Sequence, residues 1–168
     1  MQEELYKRFA PKMYAVCLRY ANNPENAQDL LQEGFIKIFR NLDRFRGEGS
    51  FEGWIRRIFI NTSIEYYRKK TNVFITSEKE ELMVQDHSLN ALDKLAEKDI
   101  IKLVQELSPG YRTVFNLYAI EGYSHKEIGV MLNISEGTSK SQLARAKGIL
   151  KNKVDQFLDE KRKSLIRK

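Results

Sequence analysis

A single cysteine, Cys17, stands in the whole chain of 168 residues, which excludes an internal disulfide. It falls in an apolar run over residues 13–18 and reads as a small core residue rather than a redox group. Long apolar runs are missing too. The uninterrupted ones span only a few residues, so the sequence predicts no secretory signal, no transmembrane span and no direct membrane insertion. The cytoplasm is the default compartment. Histidine is scarce: His87 and His125 lie far apart, no Cys/His metal spacing exists and no glycine-rich loop could cradle a phosphate. No metal, cofactor or catalytic centre is therefore expected, and the chain does not read as an enzyme. Acid is short at one end. Residues 140–168 hold ten basic and three acidic side chains, a net of +7 against +6 for the whole chain. Such an end is an electrostatic footprint for nucleic acid, although an exposed basic tail without a specific role gives the same count.

What is present is organised around residues 122–150. Ser124-His125-Lys126-Glu127 has the form of a capping box, in which the Ser124 hydroxyl accepts from the Glu127 N–H and the Glu127 carboxylate reaches back to Ser124. A helix is predicted to start there, with Ile128, Met131 and Leu132 on its apolar face and Gly129 as a side-chain-free point for close crossing by a second helix. Asn133 tolerates a left-handed backbone and ends that helix, and Ser135 caps the next. Along the second helix Leu143, Ala146 and Leu150 recur at three- and four-residue steps, leaving Lys140, Ser141, Gln142, Ala144, Arg145 and Lys147 for the other faces. The spacing is that of a helix-turn-helix. Lys and Arg pair with guanine edges or phosphates, Gln bonds adenine, and the small Ser141 and Ala144 admit close approach to a base or a thymine methyl. A basic helix in a basic protein is also, often, only a solvated face.

Upstream, Leu5, Tyr6, Phe9, Met13, Val16, Cys17 and Tyr20 step by three and four, which predicts an amphipathic helix that Pro11 kinks or interrupts. Asn23-Pro24-Glu25 starts a second helix over residues 24–42, with Ala27, Leu31, Ile38 and Phe39 apolar and Asp29, Gln32 and Glu33 grouped on another side. Residues 43–50 form a short loop in which glycines, arginines and an aromatic alternate. Ser50 caps a third helix with Trp54, Ile55, Ile58 and Phe59 in a stripe, and core packing is the favoured reading of Trp54 and Phe59. Arg56, Arg57, Asn61, Tyr66, Tyr67, Arg68, Lys69 and Lys70 surround it, a mixture of aromatic and basic groups that suits single-stranded nucleic acid. Over residues 71–91 periodicity fades and the acids Glu78, Glu80, Glu81 and Asp86 accumulate, which reads as a linker. Beyond it Leu92, Leu95, Ile100, Ile101, Leu103, Val104 and Leu107 predict a helix ended by Ser108-Pro109. Ser108 caps another over residues 111–120, which Gly122 closes. The expected fold class is all-α: two small helical domains, residues 1–70 and 92–168, joined by a flexible linker over residues 71–91, the C-terminal domain carrying the helix-turn-helix.

In the order of its units and in its motifs the chain resembles, over nearly its whole length, an RNA polymerase sigma factor of the extracytoplasmic-function type, which keeps only sigma domains 2 and 4. Asp29-Leu30-Leu31-Gln32-Glu33 resembles the family's segment for the clamp helices of RNA polymerase. Phe51-Glu52-Gly53-Trp54-Ile55 with Ile60-Asn61-Thr62 resembles its minus-10 reading segment. Leu107-Ser108-Pro109-Gly110-Tyr111-Arg112 and Gly137-Thr138-Ser139-Lys140-Ser141 resemble its domain 4. The resemblance implies that Asp29, Leu31, Gln32 and Glu33 bind polymerase, and that Arg44, Phe45, Arg46, Phe51, Arg56, Arg57 and Asn61 surround an unstacked minus-10 base. It implies that His125, Lys126, Thr138, Lys140, Ser141, Gln142, Ala144, Arg145 and Lys147 meet the minus-35 element. Core RNA polymerase, promoter DNA both duplex and melted, and an anti-sigma factor are the implied partners, with no cofactor. Two departures stand out: Asn133 where a helix-turn-helix usually has Gly, and Ser139 where the recognition helix usually buries an aliphatic residue, which should weaken local packing slightly. The competing reading is a helix-turn-helix regulator acting without polymerase capture, its N-terminal unit binding a signal or dimerising. A third is an RNA-binding or nucleic-acid-processing protein that uses the patch at residues 66–70.

Overall fold

Two compact units, Met1–Val73 and Phe74–Lys168, make up the chain in a computed structural model that describes residues 1–70 and 95–166. The linker expected over residues 71–91, together with Leu92, lies outside the described residues. Among the described residues every regular element is helical.

The first unit holds α1 (Gln2–Tyr20), α2 (Pro24–Arg40), a 3-10 turn (Leu42–Arg44) and α3 (Phe51–Lys70). Of the kink or interruption expected at Pro11, the interruption does not occur: α1 runs continuously through it. Pro11 and Lys7 are both exposed, so the Lys7 carbonyl that loses its helical donor can be solvated by water. At the start of α2 the Asn23 side chain accepts from the Asn26 N–H at 2.8 Å, with Pro24 in the first turn. At the start of α3 the Ser50 hydroxyl accepts from the Gly53 N–H at 2.9 Å. The three helices close on Met13, Val16, Leu30, Ile38, Ile55 and Phe59, all buried. Gly34 decides how near α2 and α3 come, because a Cβ there would lie 2.1 Å from Cε1 of Phe59. Cys17 belongs to this core, and burial pushes its thiol up to about 12, which leaves it a packing group.

The second unit holds α4 (Glu97–Gln105), α5 (Pro109–Phe115) continued by a π-helical turn (Asn116–Ile120), α6 (His125–Leu132) and α7 (Glu136–Ile166). Helix α4 begins later than its apolar pattern suggests, so Leu95 precedes it. Ser108 occupies the N-cap position of α5 but makes no capping bond through its side chain; Pro109, with its preset φ, starts the helix. Arg112 secures this corner. Its guanidinium donates to the Gln105 carbonyl at 3.0 Å and the Leu107 carbonyl at 2.7 Å, satisfying the end of α4 from a buried position. The π-helical turn closes at Gly122, whose φ of +79° lies in the left-handed region. Val104, Phe115, Leu117, Ile128, Leu132, Leu143 and Leu150 form the core.

Candidate nucleic-acid interface

Both halves of the capping box form at the start of α6. The Glu127 N–H donates to Ser124 Oγ at 3.3 Å, and the Ser124 N–H donates to Glu127 Oε2 at 2.8 Å. The helix ends at Asn133, whose φ of 55° and ψ of 47° place it in the left-handed region. Gly129 is a close-approach point, and what approaches is the backbone of the turn: a Cβ there would lie 2.8 Å from the Ile134 carbonyl oxygen. Ser135 Oγ then accepts from the Thr138 N–H at 3.0 Å and caps α7. Local sequence therefore fixes both the turn and the start of the second helix.

Helix α7 buries Ser139, Leu143, Ala146, Leu150 and Val154. At about 100° per residue, Ser141 and Arg145 leave the helix on the side opposite that stripe. Lys140 is exposed and pairs with Glu136 at 2.7 Å, a bond that holds the Glu136 carboxyl below its usual range. Ser141 Oγ donates to the Thr138 carbonyl at 3.0 Å. Arg145 Nη1 donates to the phenol oxygen of Tyr111 at 3.2 Å. Gln142 turns its amide oxygen inward, where it meets no hydrogen-bond partner among the described residues, so it must rotate to reach a base. Lys126 is exposed, while Thr138, Ala144 and Lys147 are half-buried.

His125 is already engaged within the unit. Its ring stacks on Tyr118 with centroids 4.5 Å apart and planes 18° from parallel, and Nδ1 lies 2.9 Å from Ser139 Oγ. Ser139 is 0% exposed, and the hydroxyl that replaces an aliphatic group there has this imidazole as its partner. Partial burial pushes the imidazole below its ordinary value, Lys140 and Lys147 act in the same direction, and Glu136 opposes them.

In the first unit a cleft of about 310 Å³ opens on α3, lined among others by Lys37, Arg44, Trp54, Asn61 and Glu65. Asn61 and Arg44 are thus brought together. Trp54, favoured as core in the sequence, is half-exposed and walls this cleft, whereas Phe59 is buried. The available signal was periodic: Trp54, Ile58, Asn61 and Glu65 share one face of α3 at helical steps. Phe45 and Phe51 pack on the same indole, with ring centroids 5.5 Å and 5.7 Å away, which ties the 43–50 loop to α3. Arg46 and Arg57 are exposed and Arg56 is half-buried; all three lie outside the cleft lining. Lys37, absent from the sequence reading, pairs with Glu65 at 2.6 Å and with Glu33 at 3.7 Å.

Asp29, Gln32 and Glu33 are exposed on α2, and Ile36, one turn further, is 49% exposed. Leu31, apolar by the helical period but a polymerase contact by the resemblance, follows the period. It is 4% exposed and packs into the core, because its position on α2 follows the buried stripe of Ala27 and Phe35. Among the described residues no helix is long and apolar enough to cross a membrane, and no group of three or more His, Cys, Asp or Glu side chains is placed to hold a metal ion.

Comparison with known proteins matches both units. Residues 5–73 match the family model of Sigma-70 region 2, and residues 90–150 match that of Sigma-70, region 4. The chain is 31% identical over 163 residues to the ECF RNA polymerase sigma factor SigW of Bacillus subtilis, covering 90% of this chain and 86% of that one. It is 28% identical over 168 residues to the RNA polymerase sigma-H factor of Pseudomonas aeruginosa, covering 93% and 87%. Among solved structures, the fold is similar to the sigma factor RpoE of Bartonella quintana, crystallised with the anti-sigma factor NepR. That match has a TM-score of 0.55 and 22% identity, and covers 89% of this chain and 94% of that one.

Proposed function

Since the chain belongs to the extracytoplasmic-function RNA polymerase sigma factors, we propose a division of labour between its two units. As an alternative sigma factor it directs RNA polymerase to promoters. On our reading the exposed face of α2, with Asp29, Gln32 and Glu33, meets core polymerase through charge-assisted hydrogen bonds to basic groups. The cleft of Arg44, Trp54 and Asn61 takes an unstacked base of the melted minus-10 element, with the indole as a stacking plane and Asn61 as hydrogen-bond partner. Helix α7 enters the major groove at minus-35, where Lys140, Ser141, Arg145 and, after rotation, Gln142 meet base edges, while Lys126 and Lys147 serve phosphates.

The observation that carries the DNA reading is the α6–turn–α7 geometry. A capped first helix, a left-handed Asn133 and a buried stripe on α7 leave Ser141 and Arg145 on the opposite side of a basic helix. The sigma domains carry no chemistry of their own on this reading, so catalysis stays with the polymerase. The cytoplasm, where polymerase works, is the proposed compartment. The similarly folded RpoE is held by an anti-sigma factor, and we propose that this chain is restrained in the same manner. A helix-turn-helix regulator acting without polymerase does not account for the match of residues 5–73 to Sigma-70 region 2. Co-purification tests the reading: the tagged full chain should draw core RNA polymerase out of solution. Recovery of a folded chain that binds duplex DNA but leaves purified core polymerase behind would overturn it.

A further inference from the structure

We propose that Glu136 is a base-reading residue, its carboxylate and the Lys140 ammonium together recognising one G·C base pair of the minus-35 element; this rests on the reading above that α7 enters the major groove. Glu136 is the first residue of α7, and its carboxylate lies 2.7 Å from Lys140 Nζ, with side-chain exposures of 51% and 57%. Lys140, then His125 and Lys126 on α6, hold the carboxyl in its ionised form. An acid at the tip of a helix that enters DNA is repelled by the phosphates, so its place there calls for a donor to meet. The donors of the major groove are the amino groups of cytosine and adenine. The turn that carries the pair is set before DNA arrives. Ser135 Oγ accepts from the Thr138 N–H at 3.0 Å, and Ser139 is 0% exposed with its Oγ 2.9 Å from His125 Nδ1. Spacing then selects the base pair. On the major-groove edge of G·C the guanine O6 acceptor and the cytosine N4 donor are partners in one hydrogen bond, about 2.9 Å apart. Lys140 and Glu136 set a donor and an acceptor 2.7 Å apart, so the ammonium can meet O6 while the carboxylate meets N4. An ammonium donates three hydrogen bonds and a carboxylate accepts several, so the bond between the two leaves capacity on both. T·A offers acceptor and donor in the same order, but guanine adds N7 beside O6 where thymine has its methyl group, so the ammonium fits guanine better. A reversed pair, C·G, would set O6 against the carboxylate and the amino group against the ammonium, and both contacts are repulsive.

Glu136→Ala is the test. The full chain would be used to select a preferred minus-35 duplex from a random library, and binding to that duplex and to its single-base-pair variants would then be measured. Glu136→Ala should lower the preference at one G·C position by about five-fold or more, and Lys140→Ala should lower it at the same position. Each preference is a ratio measured on one sample, so a lower folded fraction in a variant cancels from it. Loss of an ion pair that only supports the helix would weaken every duplex alike. The direct contact is read with N4-methylcytosine at that position, which still pairs with guanine but carries a methyl group in place of the groove-facing amino hydrogen. The wild type should lose about five-fold or more on this duplex, and Glu136→Ala should bind it as it binds the unmethylated one. Unchanged preference at every position in Glu136→Ala, losses at different positions in the two variants, a loss at an A·T pair, or a methyl group that the wild type tolerates would each overturn the proposal, while the selected duplex keeps the minus-35 reading. A library that yields no preferred duplex would remove that reading, and the role of Glu136 with it.

Discussion

Gly34→Ala forces a conflict whose size follows from the contact of α2 with α3. The added Cβ would lie 2.1 Å from Cε1 of Phe59 and 2.6 Å from Cδ1 and Cζ. Ordinary carbon contacts sit at about 3.5–4.0 Å, so the overlap exceeds an ångström. Phe59 is 0% exposed and packs edge-on against Phe35 at 5.4 Å, which denies the ring an escape into solvent. The helices must move apart, and the same two helices are joined by the pair of Lys37 with Glu65 beside the cleft. Overpacking of this kind costs about 1–3 kcal/mol, and a clash this deep belongs at the upper end. Replacing glycine by alanine inside a helix gains back about 1 kcal/mol, leaving a net loss of about 2 kcal/mol. At roughly 4–8 °C per kcal/mol for a unit of this size, its melting temperature should fall by about 8–16 °C. Thermal unfolding of the full chain, followed by circular dichroism, reads the shift. Adding Phe59→Leu to Gly34→Ala should cost less than the two single losses combined, because the smaller side chain vacates the contact. A loss below about 0.5 kcal/mol in Gly34→Ala, or simple additivity with Phe59→Leu, would refute the close crossing.

Gln32→Ala with Glu33→Ala should weaken capture of core polymerase without altering binding to minus-35 duplex; a pull-down in which the folded double variant retains full polymerase binding would remove α2 from that contact. His125 should titrate below the ordinary histidine value of 6.5, because burial and the neighbouring Lys140 disfavour its charged form. A depressed folded value means that the unfolded chain takes up protons first. The contribution of His125 is therefore intact above pH 6.5 and is lost as the pH falls through 6.5 toward the folded value. The chain has two histidines, so an NMR titration with His87→Gln for assignment isolates His125, and a midpoint above 6.5 would contradict the burial argument. Ser139→Ala should cost about 0.5–1.5 kcal/mol through loss of the bond to His125, read by denaturant unfolding; an unchanged midpoint would show that the bond contributes nothing.

Features set by neighbouring residues were legible in the sequence. The capping box, the left-handed Asn133 and the Ser50 and Ser135 caps each depend on backbone groups a few residues away, and all appear where the residue types require them. Long-range contacts were not legible. Ser139 looked like a packing defect because its partner, His125, lies 14 residues earlier, and nothing in the apolar period pairs the two. Trp54 looked like core because it follows apolar neighbours, yet it lies at the edge of the stripe and faces the cleft. Leu31 was the exception: it sits inside a motif that resembles a contact segment, yet the apolar period that groups it with Ala27 and Ile38 already turns it inward. Pro11 reads as a kink or an interruption, and the helix is not interrupted there, since whether a lost hydrogen bond breaks a helix depends on whether water can replace it. Tyr118, which stacks on His125, lies in the π-helical turn after α5, whose register is not written in three- and four-residue steps.

Transcription with purified components tests the central claim most directly. Core RNA polymerase, with and without the full chain, would transcribe fragmented genomic DNA of the source organism, and the transcript starts would be mapped. The account predicts discrete starts that need the chain and share one upstream duplex element and one element at the point of melting. Arg145→Ala should relax the first element, and Asn61→Ala with Trp54→Ala the second. Starts that are unchanged by the chain, or that depend on it without sharing either element, would contradict it.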